Sequence, residues 1–167
     1  MDFSIPHFVV QPPNIRLDGG LGGGAVMDVG CCAVDLIRAA WGAPVVESAV
    51  AVLYEDDPRV DLQTDALLRL PPGAPAAVRS SFTGEDTGSM SMRGTGSPAS
   101  LEATSVIVSQ WRAERRIRSG DDLTIDEAAA PGENSYARQL AHLAAVLRDG
   151  SSSPPDEIYR AAGLLPR

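Results

Sequence analysis

From residue 45 to residue 125 the chain runs as short β-type segments cut by proline, glycine and aspartate turns, with no helical period between them. Val45–Leu53 is β-rich and Asp56-Asp57-Pro58 turns it. Leu62, Thr64, Ala66, Leu68 and Leu70 share one parity before Pro71-Pro72-Gly73 turns the chain again. Residues 76–82, 89–93, 99–102, 106–111, 114–118 and 123–125 continue the series. Consecutive strands joined by tight turns pair antiparallel, because a parallel crossover needs about a dozen residues or more. Alternation such as Asp61-Leu62-Gln63-Thr64 gives such a sheet one packed face and one open face.

Helical spacing lies on either side of this region. Ala25, Val29, Cys32, Leu36 and Ala39 or Ala40 recur at three and four residues, which predicts a helix over 24–41, stopped by Gly42 and Pro44. Tyr136, Leu140, Leu143 or Ala144, and Leu147 form an amphipathic stripe over 132–148, closed by Asp149-Gly150. A last short helix is expected over 156–164, and an extended opening at Phe8-Val9-Val10 is halted by Pro12-Pro13. Helix, sheet and helix together predict an α+β fold: one domain over 1–167, an open, mostly antiparallel sheet with helices packed on one face.

Charge and composition exclude several functions. There are 22 acidic residues against 14 basic ones, a formal charge of −8, and every basic residue is an arginine. An acidic chain with no basic tract is a poor binder of nucleic acid or anionic membrane. The absence of lysine removes a catalytic lysine, a Schiff base and a P-loop from these residues. The strongly apolar runs are far shorter than the roughly 20 residues of a spanning helix, so no membrane association is expected. Asp2 and the lack of a basic opening argue against a signal peptide. Cys31 and Cys32 are adjacent, without the spacing of a zinc site, and point to a reduced, cytoplasmic compartment.

The glycine-dense stretch Asp18-Gly19-Gly20-Leu21-Gly22-Gly23-Gly24 carries the strongest local signal. Gly20 to Ala25 formally fits a dinucleotide-binding fingerprint, as does Gly94 to Ala99, but no strand leads directly into the first and no parallel βαβ unit comes after it. The glycines either build a tight turn and a close helix approach, or leave N–H groups at a helix start for a polar or anionic ligand. Beyond them Asp28, Cys31 or Cys32, Asp35 and Arg38 form a polar seam, read as a solvated face or as one turned to a ligand. His7 and His142 have no nucleophile partner by spacing, and the arginines at 112, 115, 116 and 118 read as a solvated strand face.

The stretch NIRLDGGLGGGAVMDVGCCAVDLIRAAWG resembles the helix-opening motif of the C-terminal domain in the glucose–fructose oxidoreductase/inositol dehydrogenase (Gfo/Idh/MocA) family. The likeness continues through DALLRLPPGAPAAVRSSF, MRGTGSPASLEA and YARQLAHLAAVLRDG to IYRAAGLLPR, and is nearest to the sugar and dihydrodiol dehydrogenase type. The resemblance implies a sheet whose helix-free face makes subunit contacts, hence a homo-oligomer. It implies NAD or NADP and a catalytic lysine on an upstream Rossmann domain, so that this chain alone binds no cofactor and a separate Rossmann polypeptide is a possible partner. It also implies Arg16, Gly23, Gly24 and Asp28 as substrate-binding positions, with Asp28 and Cys32 at the catalytic ones. Cys32 falls where the family has His or Tyr, and a thiol is a weaker donor that does not shuttle protons as His does. The joint 151–155 is shorter than the family's usual one. The expected function is the substrate-side and oligomerisation domain of a truncated or split oxidoreductase acting on a sugar, polyol or diol, inactive alone. The alternative is a non-enzymatic dimeric module that binds a small polar ligand or a partner protein.

Overall fold

The computed structural model describes residues 1–6, 10–71, 73–84, 90–97, 99–104, 114–127 and 135–149. The expected segments at 106–111 and 156–164, the joint at 151–155, His7 and most of the Phe8-Val9-Val10 run lie outside them. The chain divides into two compact units, Met1–Met90 and Ser91–Arg167.

The first unit holds strands β1 (Asp2–Pro6), β2 (Val45–Leu53), β3 (Asp61–Arg69) and β4 (Pro75–Gly84), in the order β2-β3-β4-β1. The β2–β3 and β3–β4 pairs are antiparallel, as hairpin turns require, whereas β1 joins β4 in parallel with Phe3 opposite Ser80. The strand β1 was not foreseen. Helix α1 (Cys31–Trp41) continues from a π-helical turn at Val26–Gly30 and stops at Gly42, which has φ +87°.

That turn corrects the expected helix of 24–41. Its C-terminal bond runs from the Cys31 N–H to the Val26 carbonyl, one residue longer than an α-helical bond. The extra residue rotates the remainder of the helix by about 100°. Ala25, Val29 and Leu36 are buried as the spacing predicts and are joined by Ala33 and Ile37, whereas Cys32 and Ala39 are only half-buried and Ala40 is exposed.

Val10, Ala25 and Phe82 form a buried cluster, with Leu17 and Leu62 packed against it. Ser80, Val78 and Phe82 of β4 share the face turned to the helix, and Leu68 continues it on β3. The opposite face is polar at its centre. Asp65 accepts from Arg79 Nε at 2.7 Å, and Ser81 Oγ lies 2.8 Å from Thr83 Oγ1, which donates to Gln63 Oε1 at 3.3 Å. Toward the edge it becomes apolar, through Leu67 and the β2 residues Val50 and Val52, all exposed.

The second unit holds β5 (Met90–Thr95), β6 (Ser100–Thr104), β7 (Glu114–Ser119) and β8 (Asp122–Glu127), which pair antiparallel in sequence order, and α2 (Ser135–Asp149). Gly94 lies in β5 and the Gly96 N–H bonds the Ala99 carbonyl, so the second fingerprint match is a hairpin end. Strand β7 is largely exposed, with Arg116 paired to Glu114, in keeping with a solvated arginine face; Arg112 lies outside the described residues. The stripe Tyr136, Leu140, Leu143 and Leu147 of α2 is exposed.

The stretch Gly19–Trp41 is long and apolar enough, by length and composition alone, to cross a membrane. It is not one continuous α-helix: it starts as a 3-10 turn at Gly19–Leu21, passes the π turn and carries the paired Asp28. One side of it is packed in the core of the first unit, the ordinary position of a core helix.

Candidate functional site

All the expected site residues belong to the first unit, where the glycine loop opens the helix. Asn14 Oδ1 accepts from the Arg16 N–H and starts a 3-10 turn at Ile15–Leu17; Asp18 Oδ1 accepts from Gly20 N–H at 2.7 Å and starts the next at Gly19–Leu21. Side-chain acceptors at the turn starts satisfy N–H groups that a helix end leaves orphaned.

The other loop donors are also engaged. Leu21 and Gly23 bond the Asp18 carbonyl, Gly22 that of Gly19, and Gly24 that of Arg16 at 2.9 Å. Two carboxylates arrive from the distant β2–β3 hairpin. Asp57 Oδ2 takes the Gly19 N–H at 2.9 Å, and Asp61 Oδ2 takes the Val26 N–H at 3.1 Å. The structure thus favours the first of the two glycine readings, a tight turn with a close helix approach. A loop whose N–H groups already donate to protein acceptors does not fit a dinucleotide pyrophosphate, which needs them free.

Close packing explains two glycines. A Cβ on Gly23 would lie 2.5 Å from the Arg16 carbonyl oxygen, and one on Gly24 would collide with the Asp61 carboxylate. Gly24 also has φ +125°, which side-chain-bearing residues rarely adopt.

Around this loop Arg16 and Asp28 meet, Nε to Oδ2 at 2.7 Å, both side chains partly exposed. The Asp28 N–H bonds the Gly24 carbonyl, so the loop, the carboxylate and the guanidinium are held as one piece. Cys32 stands one turn further along. Burial is the largest cause raising its thiol to about 11; the Cys31 thiol adds to this, and Asp35 and Asp28 add less. The carboxylates therefore act in the direction their sequence positions suggest, though desolvation outweighs them. Cys31 is exposed, with its Sγ 3.9 Å from that of Cys32. Met27, Cys31, Val34, Arg38 and Trp41 recur at helical spacing and are exposed, an outer stripe beside the Asp28 seam.

Arg16, Gly23, Gly24, Asp28 and Cys32 are therefore neighbours. The sequence reading missed Asp57 and Asp61, which fix the loop. The dense Asp56-Asp57-Pro58 turn and the Asp at the start of β3 were the available signals, but both also look like ordinary turn residues.

The family model of the GFO/IDH/MocA C-terminal domain matches residues 1–102. The chain belongs to the Gfo/Idh/MocA family. A D-xylose 1-dehydrogenase (NADP(+)) of Haloferax volcanii is 31% identical over 144 residues, which cover 86% of this chain and 43% of that protein. The aldose-aldose oxidoreductase of Caulobacter crescentus, solved with glycerol, superposes with a TM-score of 0.75 at 27% identity, covering 97% of this chain and 52% of that one. The 3-ketoreductase KijD10 of Actinomadura kijaniata, solved with NADP and TDP-benzene, superposes at 0.73 with 22% identity, covering 98% and 50%. The chain spans about half the length of the relatives it matches. In this Gfo/Idh/MocA domain the Asp28 carboxylate can accept a hydroxyl hydrogen bond beside the Arg16 cation, whereas the Cys32 thiol is not an acid or base near neutral pH.

Proposed function

We propose that these residues form the substrate-facing and assembly domain of an NADP-dependent oxidoreductase acting on a sugar, polyol or diol. The nucleotide and the catalytic lysine come from a Rossmann-type domain outside the 167 residues, which contain no lysine. The observation that carries this reading is the outer side of α1. Met27, Val34 and Trp41 are exposed alongside Asp28, an apolar surface of the kind a second domain covers. In this reading Asp28, oriented by Arg16, accepts a substrate hydroxyl, and Gly23 and Gly24, expected as substrate-binding positions, serve it by closing the loop on Arg16 and Asp61. Without the nucleotide and the lysine of that second domain, these residues alone transfer no hydride. The names of the xylose dehydrogenase and the aldose oxidoreductase support the substrate class. The free thiols accord with a reducing, cytoplasmic setting.

The test is a fusion of this chain behind the NADP-binding half of the xylose dehydrogenase, assayed on aldoses and polyols. Substrate-dependent NADP+ reduction is expected, abolished by Asp28→Ala, which removes the acceptor, and reduced less by Asp28→Asn, which keeps one. A fusion that binds NADPH yet turns over nothing on the panel sinks the reading, as does micromolar NADPH binding by the chain alone.

A second part of the reading concerns assembly. Val50, Val52 and Leu67 lie exposed on the helix-free side of the first unit's sheet, and a sheet-to-sheet homodimer would bury them. Sedimentation at tens of micromolar checks this: a dimer that Val50→Glu with Val52→Glu dissociates is expected, and a monomeric parent chain contradicts it.

A further inference from the structure

Most polar side chains of the first unit are tied to one another: Arg16 to Asp28, Arg59 to Asp57, Arg79 to Asp65, and Asp61 to the start of the helix. The two thiols are tied only weakly, to each other and to the helix backbone. Cys31 and Cys32 are both free, their Sγ atoms lie 3.9 Å apart, and the Cys31 Sγ is also 3.9 Å from the Asp28 carbonyl oxygen. Cys31 is exposed and Cys32 half-buried, so the pair is open to solvent from one side.

Oxidation to an internal disulfide is disfavoured by the backbone. Disulfide-linked Cα atoms usually lie about 4.4–6.8 Å apart, while consecutive residues are fixed at about 3.8 Å. Cys31 is also helical, at φ −55° and ψ −39°. Pulling the sulfurs from 3.9 Å to the roughly 2.05 Å of an S–S bond would unwind the first turn of α1. A bridging atom bonded to both sulfurs tolerates a much wider separation; two bonds of about 2.3 Å at a pyramidal trivalent centre with an angle of about 95–100° span roughly 3.4–3.5 Å, so the sulfurs need close by only about half an ångström. The helix thus holds the thiols at a chelating distance.

The number of ligands narrows the choice of guest. Among the described residues there is no group of three or more His, Cys, Asp or Glu that could hold a metal ion. A divalent ion seeking four protein donors finds two sulfurs. A trivalent metalloid carrying one organic substituent needs only those two. We propose that Cys31 and Cys32 form a vicinal dithiol site for thiophilic trivalent metalloids, of the class of the monosubstituted arsenicals.

The condensation balances without an oxidant. With phenylarsine oxide, two S–H bonds break, two As–S bonds replace the bonding between arsenic and its oxygen, and both protons leave on that oxygen as water. Arsenic and sulfur keep their oxidation states. No standing thiolate is required, which suits a site where burial and the Asp35 and Asp28 carboxylates keep Cys32 protonated. The bound metalloid would stand one helical turn beyond Asp28, on the side of α1 that carries the exposed stripe.

Native mass spectrometry of the full chain with phenylarsine oxide tests the site. One adduct per folded chain is expected, released by 2,3-dimercaptopropanol but not by an equal excess of 2-mercaptoethanol. Cys31→Ser and Cys32→Ser should each weaken binding by about a hundredfold or more, because the second sulfur acts at high effective concentration. Should a variant fail to fold, the parent chain still decides: one equivalent of arsenical must protect both thiols from N-ethylmaleimide together. Equal binding by the single-serine variants overturns the proposal. So does protection of one thiol or neither, or an adduct that forms only in urea.

Discussion

Gly30 lies directly against Ser80: a Cβ added to the glycine would come 2.6 Å from the serine Oγ and 3.2 Å from its Cβ. This contact sets how closely the π turn approaches β4, and Gly30 itself is buried. Gly→Ala inside an open helix normally gains about 1 kcal/mol. Here overpacking reverses the sign, and Gly30→Ala should cost about 1–3 kcal/mol in urea unfolding. Adding Ser80→Gly should recover part of that loss; additive effects of the two changes would contradict direct contact.

Asp61 clamps the helix start from the next strand. It accepts from the Val26 N–H and from Thr64 Oγ1 at 2.8 Å, and packs against Gly24. Asp61→Ala removes a capping acceptor and should lower stability by about 1 kcal/mol. Asp61→Asn keeps an acceptor and should lose less. Amide exchange at Val26 and Asp28 reports the effect locally, and unchanged protection there in the alanine variant would remove Asp61 from this role.

Asp57 gives the loop a pH dependence. The Arg59 guanidinium, then the Gly19 N–H, hold its carboxyl well below the usual carboxylate range. A depressed folded value means a contribution fully present above the unfolded pKa of about 3.9 and lost as pH falls toward the folded value. Asp57→Asn should therefore be less stable than the parent at pH 7, and the difference should shrink once the pH drops below about 4. A difference that stays constant from pH 7 to pH 3 would mean the ionised carboxylate is not what matters.

Strands β2 to β8 were legible because their turns are written in Pro, Gly and Asp, and local hairpins arise from local residues. Val45–Leu53 is the clearest instance, with identical bounds in the sequence reading and in the structure. Strand β1 was not legible, since its partner β4 is more than seventy residues away and the pairing is parallel. The π turn was hidden for another reason: the residues Val26 to Gly30 suit an α-helical or a π turn equally. Of the expected stripe Ala25, Val29 and Leu36 are buried, and Ala33 takes the place expected of Cys32. The grouping of Arg16, Gly23, Gly24, Asp28 and Cys32 was legible from the family motif. That the loop N–H groups are consumed was not: most close on Arg16, Asp18 and Gly19 within the loop itself, a path that a run of glycines leaves open, while Asp57 and Asp61 reach the Gly19 and Val26 N–H groups across 38 and 35 residues.

The two thiols should label at very different rates with a monofunctional alkylating agent. Cys31 is exposed, whereas Cys32 is half-buried with its thiol raised to about 11, burial being the chief cause. Alkylation proceeds through the thiolate, and at pH 8 such a thiol is ionised on the order of one part in a thousand. The higher intrinsic nucleophilicity of a high-pKa thiolate offsets only part of this deficit. Under limiting iodoacetamide the native chain should therefore acquire its first label at Cys31, with Cys32 slower than a free cysteine by about tenfold or more. The Cys32 rate should keep climbing with pH to about 11 instead of levelling near 8.5. Peptide mapping of time points at pH 7, 8 and 9 reads both residues in one experiment. Faster labelling at Cys32, or a Cys32 rate that plateaus below pH 9, would mean that the helix start does not desolvate that sulfur.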